Sequence, residues 1–213
     1  MGLLTGIKPM TIREAAPADA EQIIAHIQRV ASEPERTILL GPGEFTLTAA
    51  QEREVLSEYG AADNAVYLVV EVDGGIVAVL SCSGGKRQAT RHSASFGMSV
   101  AQEWRNKGVG TALLGRLVEW AEDSGIIRRL DLEVWAHNAA ALHLYRKFGF
   151  VEEGRRREAY FLNGRFVDGI LMARRLQLSG AGACPSRTVR RPEQSEAEGH
   201  VRPPAPKLPG DEE

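Results

Sequence analysis

Two cysteines in 213 residues, Cys82 in a predicted strand and Cys184 near the C-terminus, give no disulfide framework and no metal-ligand spacing. His137 and His143 do not supply that spacing either, and no metal is expected. No apolar run is long enough to span a bilayer, and the N-terminus lacks a basic segment followed by an apolar core. Gly6 stands where a myristoylation signal needs Ser or Thr. A cytoplasmic protein is the expectation. The formal net charge is only −2, so composition points neither to nucleic acid nor to an anionic membrane surface. Internal repeats are lacking too.

What is present fits one domain of ordinary size. Thr11 to Ala15 reads as a short strand, and Asp19 to Ala31 as a helix with Ile23, Ile24, Ile27 and Val30 on one stripe. Residues 32–47 form a loop, and Thr48-Ala-Ala-Gln51 is a capping box that opens a second helix to about Tyr59. Val66 to Val72 and Ile76 to Ser83 flank a hairpin signal, Asp73-Gly-Gly75, and their continuous apolar character predicts strands buried on both faces. Another strand, Ser93 to Val100, precedes a helix over Gly108 to Ser124. Leu130 begins a further strand, a helix starts at Asn138, and Asn163-Gly164 joins a closing hairpin of Glu152 to Leu162 and Arg165 to Arg175. The order is β-α-α-β-β-β-α-β-α-β-β, an α/β (α+β) arrangement on a mixed sheet. Residues 1–9 read as a flexible N-terminus, 10–177 as the folded domain, and 178–213, rich in Pro, Gly and mixed charge, as a disordered tail.

Between the fourth strand and its helix lies Arg105-Asn-Lys-Gly108-Val-Gly110-Thr111. The first N–H groups of a helix lack internal partners and carry about half a positive charge, so such a loop is an anion site. Gly108 and Gly110 let the backbone approach a ligand, and Arg105 and Lys107 add cations. A dinucleotide fingerprint would need a glycine directly after the strand and a small residue where Leu113 stands; a Walker loop would need Gly-Lys-Ser/Thr. Neither fits. A tight turn is the plain alternative for the two glycines alone.

Asn138-Ala-Ala-Ala-Leu-His-Leu-Tyr145-Arg-Lys147-Phe-Gly-Phe150 is the second informative segment. Asn138 suits a helix N-cap, with or without a ligand contact as well. Tyr145, seven residues on, falls on nearly the same helix face, either as a core aromatic or as a working side chain. Gly149 suits the helix end.

Arg105 to Gly110 matches the acyl-CoA loop pattern Arg/Gln-x-x-Gly-x-Gly/Ala of the Gcn5-related N-acetyltransferases (GNAT), and Asn138 to Phe150 is similar to that family's second signature. The resemblance covers the chain to about Leu176 and implies the acyl-CoA N-acyltransferase fold, a mixed sheet of about seven strands flanked by about four helices. It implies acetyl-CoA as donor, bound by Arg105, Asn106, Lys107, Gly108, Val109, Gly110, Thr111, Asn138 and Lys147, with main-chain groups of Met98 and Val100 on the pantetheine arm. It also implies Tyr145 as the acid that protonates the leaving thiolate. A phenol near pKa 10 protonating a thiol near 8.5 is uphill by only about 2 kcal/mol.

The base is less evident. Many relatives carry a Glu on the strand before the loop, whereas Ala94 to Met98 contain no carboxylate. Glu133 and His92 are candidates, beside a water chain. Deprotonating an α-amine near pKa 8 costs roughly 1 kcal/mol at neutral pH, against about 4 to 5 for a polyamine nitrogen near 10.4, so weak base provision favours an α-amine. The closing hairpin looks like that of bacterial relatives acting on free amino acids, ribosomal-protein N-termini or polyamines. By that likeness Glu44, Phe45, Tyr160 and Asp168 wall the acceptor site, while Trp104 and Trp135 serve packing. The expectation is an acetyl-CoA-dependent N-acetyltransferase of a small α-amine, with a protein N-terminus or polyamine as alternative acceptors, a possible homodimer, and a non-catalytic CoA-binding regulator as the competing class.

Overall fold

The two apolar runs become the middle of the sheet. In the computed structural model, which describes residues 9–177, β2 (Ala65–Val72) and β3 (Gly75–Gly84) pair antiparallel and are buried along most of their length. Asp73 and Gly74 both take positive φ, 51° and 77°, the left-handed backbone of a two-residue hairpin turn. β1 (Met10–Glu14) lies outside β2, and β4 (Ser93–Val100) pairs with β3 on the other side. β5 (Arg129–Trp135), β6 (Val151–Leu162) and β7 (Arg165–Arg175) complete the order β1-β2-β3-β4-β5-β7-β6. At the far hairpin, Asn163 and Gly164 repeat the positive-φ turn, at 50° and 76°.

Every pairing is antiparallel except that of β4 with β5. That parallel ladder holds only Ser93↔Arg129, Ala94↔Leu130 and Ser95↔Asp131. Beyond it the strands part, and each leaves an unpaired main-chain edge facing a cleft.

Helices cover both faces. α1 (Ala20–Ala31) and α2 (Ala49–Ala61) pack through Ile23 and Leu56 on Tyr67, Val69 and Val79. α3 (Val109–Asp123) and α4 (Ala139–Lys147) cover the other face, where Leu113, Leu114 and Leu117 join Leu68, Leu80, Phe96 and Leu130. Full burial of each such leucine is worth about 1.5–3 kcal/mol. Arg13 on β1 clamps this frame, reaching Asp19 before α1 at 2.7 Å and Glu71 on β2 at 2.9 Å. The Arg13 guanidinium holds the Asp19 carboxyl below its ordinary range.

Among the described residues, seven strands and four α-helices in the expected order confirm the fold class. The Thr48–Gln51 capping box forms in both directions. Gly149 ends α4 with φ 78°. Short 3-10 turns at 17–19 and 102–104 are additional. β6 is less regular than its pattern suggests: register breaks fall at Glu152/Gly154 and Arg156/Tyr160, and Glu158 takes φ 50°. The expected flexible N-terminus, apart from Pro9, and the expected tail from 178 onward lie outside the described residues, as does Cys184.

Candidate functional site

The cleft between β4 and β5 opens into a cavity of about 1120 Å³. At one end is the glycine loop. Asn106 and Gly108 both take positive φ, 58° and 82°, and the first intrahelical bond of α3 runs from Ala112 N–H to the Gly108 carbonyl at 2.9 Å. The N–H groups of Val109, Gly110 and Thr111 therefore precede the helical ladder, where the dipole favours an anion. Asn106, Gly108, Gly110 and Thr111 line the cavity, whereas the Val109 side chain is buried in the core, so only its main chain is available. A Cβ at Gly110 would lie 3.4 Å from Leu144 Cδ2, which shows how closely α3 approaches α4 there.

The two cations of this loop are placed differently from one another: Arg105 lines the cavity and Lys107 does not. The Arg105 guanidinium is engaged by the protein itself: Nε donates to the Val100 carbonyl at 3.0 Å, Nη1 to the Glu35 carbonyl at 3.2 Å, and Nη2 to the Glu33 carboxylate. Glu33 also accepts from Gln102 N–H at 2.9 Å. Arg105 lines the cavity and at the same time ties residues 33–37 to the glycine loop. Lys107 lies over the Trp104 ring, 5.2 Å from its centroid, outside the cavity lining.

β4 forms the cavity floor. Ala101 N–H bonds to the Val77 carbonyl, and Gly85 N–H to the Ser93 carbonyl, so odd-numbered residues of this strand point their main chain at β3. By alternation the main-chain groups of Met98 and Val100 face the open edge toward β5. The Met98 and Val100 side chains pack on the α3 side. Gly97 and Ser99 face the α1 side, and no atom lies within 4 Å of the place a Gly97 Cβ would occupy.

α4 supplies the opposite wall. Asn138 caps it, Oδ1 accepting from Ala141 N–H at 3.1 Å, while Asn138 also lines the cavity. Tyr145, two turns on, is wedged edge-to-face against Phe96 and Phe150 at 5.9 and 5.8 Å. Burial raises its hydroxyl to about 12. Lys147 lines the same cavity.

Where β5 and β6 border the cavity, Tyr160 and Glu133 meet. Arg156 Nη1 donates to Glu133 Oε2 at 2.8 Å, and burial with a hydrogen bond to Glu133 raises the Tyr160 hydroxyl to about 12. A side chain at Gly169 would collide with this carboxylate, its Cβ falling 2.0 Å from Glu133 Oε1. Trp135 lines the cavity and stacks on His137 at 5.6 Å, a wall position beyond simple packing. Glu44, Phe45 and Asp168 do not line it. The Glu44 carboxylate caps Gly41 N–H at 2.7 Å within its own turn, and Gln28 Nε2 donates to the Phe45 carbonyl at 3.4 Å. Thr37 to Leu40, from the same loop, take their place. Asp168 accepts from Glu158 N–H at 2.8 Å and pairs with Arg155, holding the irregular β6 in register. His92 sits at the closed end of the β4–β5 ladder, outside the lining, where its carbonyl accepts from Arg128 N–H at 2.8 Å.

Sequence reading missed His26. It is buried on α1, with Nε2 2.9 Å from Ser99 Oγ. The signal was its spacing: three residues after Ile23 and four before Val30, it belongs to the inward stripe.

Among the described residues no group of three or more His, Cys, Asp and Glu is placed to hold a metal ion. No described helix is long and apolar enough to cross a membrane.

Comparison with known proteins agrees with this geometry. The pattern of the acetyltransferase (GNAT) family matches residues 33–150, more than half of the chain. An L-amino acid N-acetyltransferase of Escherichia coli is 36% identical over 107 residues, 50% of this chain and 66% of that relative. A spermidine N(1)-acetyltransferase of Vibrio cholerae is 37% identical over 76 residues, 36% of this chain and 44% of the relative. In both, the matched stretch spans less than two thirds of the relative's length. A crystal structure of a GNAT-family acetyltransferase from Streptococcus pneumoniae superposes with a TM-score of 0.76 at 32% identity, covering 79% of this chain and all of that one.

Proposed function

The chain belongs to the acetyltransferase (GNAT) family, and from that premise we propose that it transfers acetyl from acetyl-CoA to the α-amine of a small molecule such as an amino acid. The observation that carries the reading is the ladder that stops at Ser95↔Asp131, which leaves main-chain edge free between an anion cradle and a protonated tyrosine.

In this reading the diphosphate sits on the N–H groups of Val109 to Thr111, with Asn106, Asn138 and Lys147 around it. The pantetheine arm adds itself to the edge of Met98 and Val100 as a further strand would. Arg105 contributes by fixing the loop. The neutral amine attacks the thioester carbon, the carbonyl oxygen takes up charge against a β4 N–H, and collapse expels the thiolate, which takes its proton from Tyr145. Glu133 is engaged by Arg156 and Tyr160, so it shapes the acceptor wall. The amine proton leaves with water through the open mouth, a route sufficient for an α-amine and costly for a polyamine nitrogen.

The empty volume beside Gly97 is where the acceptor amine approaches. Gly97→Val is expected to fold normally, because the new Cβ meets no neighbour, yet to raise the acceptor KM by about 10-fold or more at unchanged CoA affinity. An unchanged acceptor KM would place the amine elsewhere.

The activity itself is tested by thiol release from acetyl-CoA across free amino acids, N-terminal peptides and spermidine, each product identified by mass. Turnover confined to α-amines is the expected result. Turnover with spermidine alone would transfer the proposal to polyamines, and CoA binding without turnover would favour the regulator.

A further inference from the structure

We propose that the Ser99 hydroxyl, oriented by His26, is a hydrogen-bond donor that selects acceptor amines bearing a carbonyl or carboxylate oxygen on the neighbouring carbon; this rests on the α-amine reading above. Ser99 is buried on the α1 side of β4, beside the open space at Gly97, and lines the cavity.

The direction of its hydrogen follows from the ring beside it. Arg29 Nη2 lies 3.4 Å from His26 Nδ1, and a guanidinium only donates, so Nδ1 must present its lone pair. A neutral imidazole then carries its single proton on Nε2, which points at Ser99 Oγ; the Ser99 main-chain carbonyl faces the same ring. The charged groups around the imidazole are Arg29, Glu103 and Arg105, and burial together with Arg29 lowers its pKa to about 4. His26 therefore stays neutral in the working range and keeps donating.

A hydroxyl whose oxygen already accepts from Nε2–H has its own hydrogen left to give. Among the described residues none accepts it, and the cavity lies in front. An amino acid, an amino-acid amide or a peptide N-terminus places an oxygen two bonds from the reacting amine's carbon. A polyamine offers no oxygen at all, and its binding leaves the Ser99 hydrogen unpaired, a recognised source of discrimination.

The experiment uses the full chain with saturating acetyl-CoA and two probes, L-alaninamide and isopropylamine, which differ by exchange of the carboxamide for a methyl group. Ser99→Ala is expected to lower kcat/KM about 30-fold on L-alaninamide and less than about 3-fold on isopropylamine. Because each ratio is taken within one probe, the different amine pKa values cancel. His26→Leu should reproduce the selective loss, and His26→Gln, whose amide also donates, should retain most of the activity. CoA affinity at the wild-type value shows that each variant is folded. Equal losses on both probes, or no loss on either, overturn the selective role while leaving the α-amine reading in place. A wild-type chain that binds acetyl-CoA but acetylates neither probe overturns that reading and this inference with it.

Discussion

Replacing Tyr145 by Phe is expected to lower kcat about 10²- to 10³-fold while leaving CoA affinity and thermal stability within error of wild type. The packing argument comes first. Tyr145 is held by its ring, between Phe96 and Phe150, and its hydroxyl makes no hydrogen bond to another described residue. Loss of the oxygen therefore breaks no internal contact. The energetic argument concerns the proton. With the phenol raised to about 12, transfer to a thiolate of ordinary basicity near 8.5 would be uphill by about 5 kcal/mol. Burial raises a thiol as it raises a phenol, so a thiolate released against the Tyr145 ring would be more basic than in water and the uphill step smaller.

The pH profile carries the sign of this shift. A hydroxyl whose pKa is raised remains protonated through the whole accessible range, so activity should rise as the amine loses its proton near pH 8 and then stay level to at least about pH 10. A falling limb near pH 10 would show that the acid titrates at an unperturbed phenol's value and overturn the raised pKa, whereas full turnover by Tyr145→Phe would remove Tyr145 as the acid.

Gly108→Val should be the most damaging change in the glycine loop, weakening CoA binding by about 10- to 100-fold and lowering the melting temperature. Its effect is conformational. No atom lies within 4 Å of a Cβ at this position, but φ is 82°, which a β-branched residue reaches only with about 1–3 kcal/mol of strain. The chain escapes by rotating toward negative φ, and that rotation turns the N–H groups of Val109 to Thr111 away from the cradle. Gly110→Ala is the internal control. Its Cβ meets side-chain ends at ordinary contact distance, Leu144 at 3.4 Å, Met98 at 3.7 Å and Val100 at 3.9 Å, and the residue sits within α3, so near-normal affinity is expected. Calorimetric titration with CoA separates the pair, and equal affinities for Gly108→Val and wild type would show that the loop is not the anion cradle.

How much of this was legible beforehand depends on whether the controlling interaction is local. The Thr48–Gln51 box, the Asn138 cap, the two positive-φ hairpin turns and the glycine loop all lie within a few residues of the groups they satisfy, and each formed as its pattern implied. The inward leucines of α3 follow from helical periodicity in the same way. Side-chain partners across the chain are another matter. Arg105 looked free to serve as a cation of the anion loop; folding brought Glu33, 72 residues away, against its guanidinium. Asp168 and Glu44 were expected to wall the acceptor site, and each instead found a backbone N–H in its own turn or hairpin. His26 met Ser99 across 73 residues.

By itself, then, the sequence determined the elements, their order, the glycine loop at the start of α3 and the helix face that carries Tyr145, since these depend on backbone propensity, capping and hydrophobic period. The tertiary structure decided which charged side chains were left for a ligand and which were consumed, and how far β4 and β5 stay paired before the cleft opens. Those outcomes turn on distances between residues far apart in the chain, which no local pattern encodes.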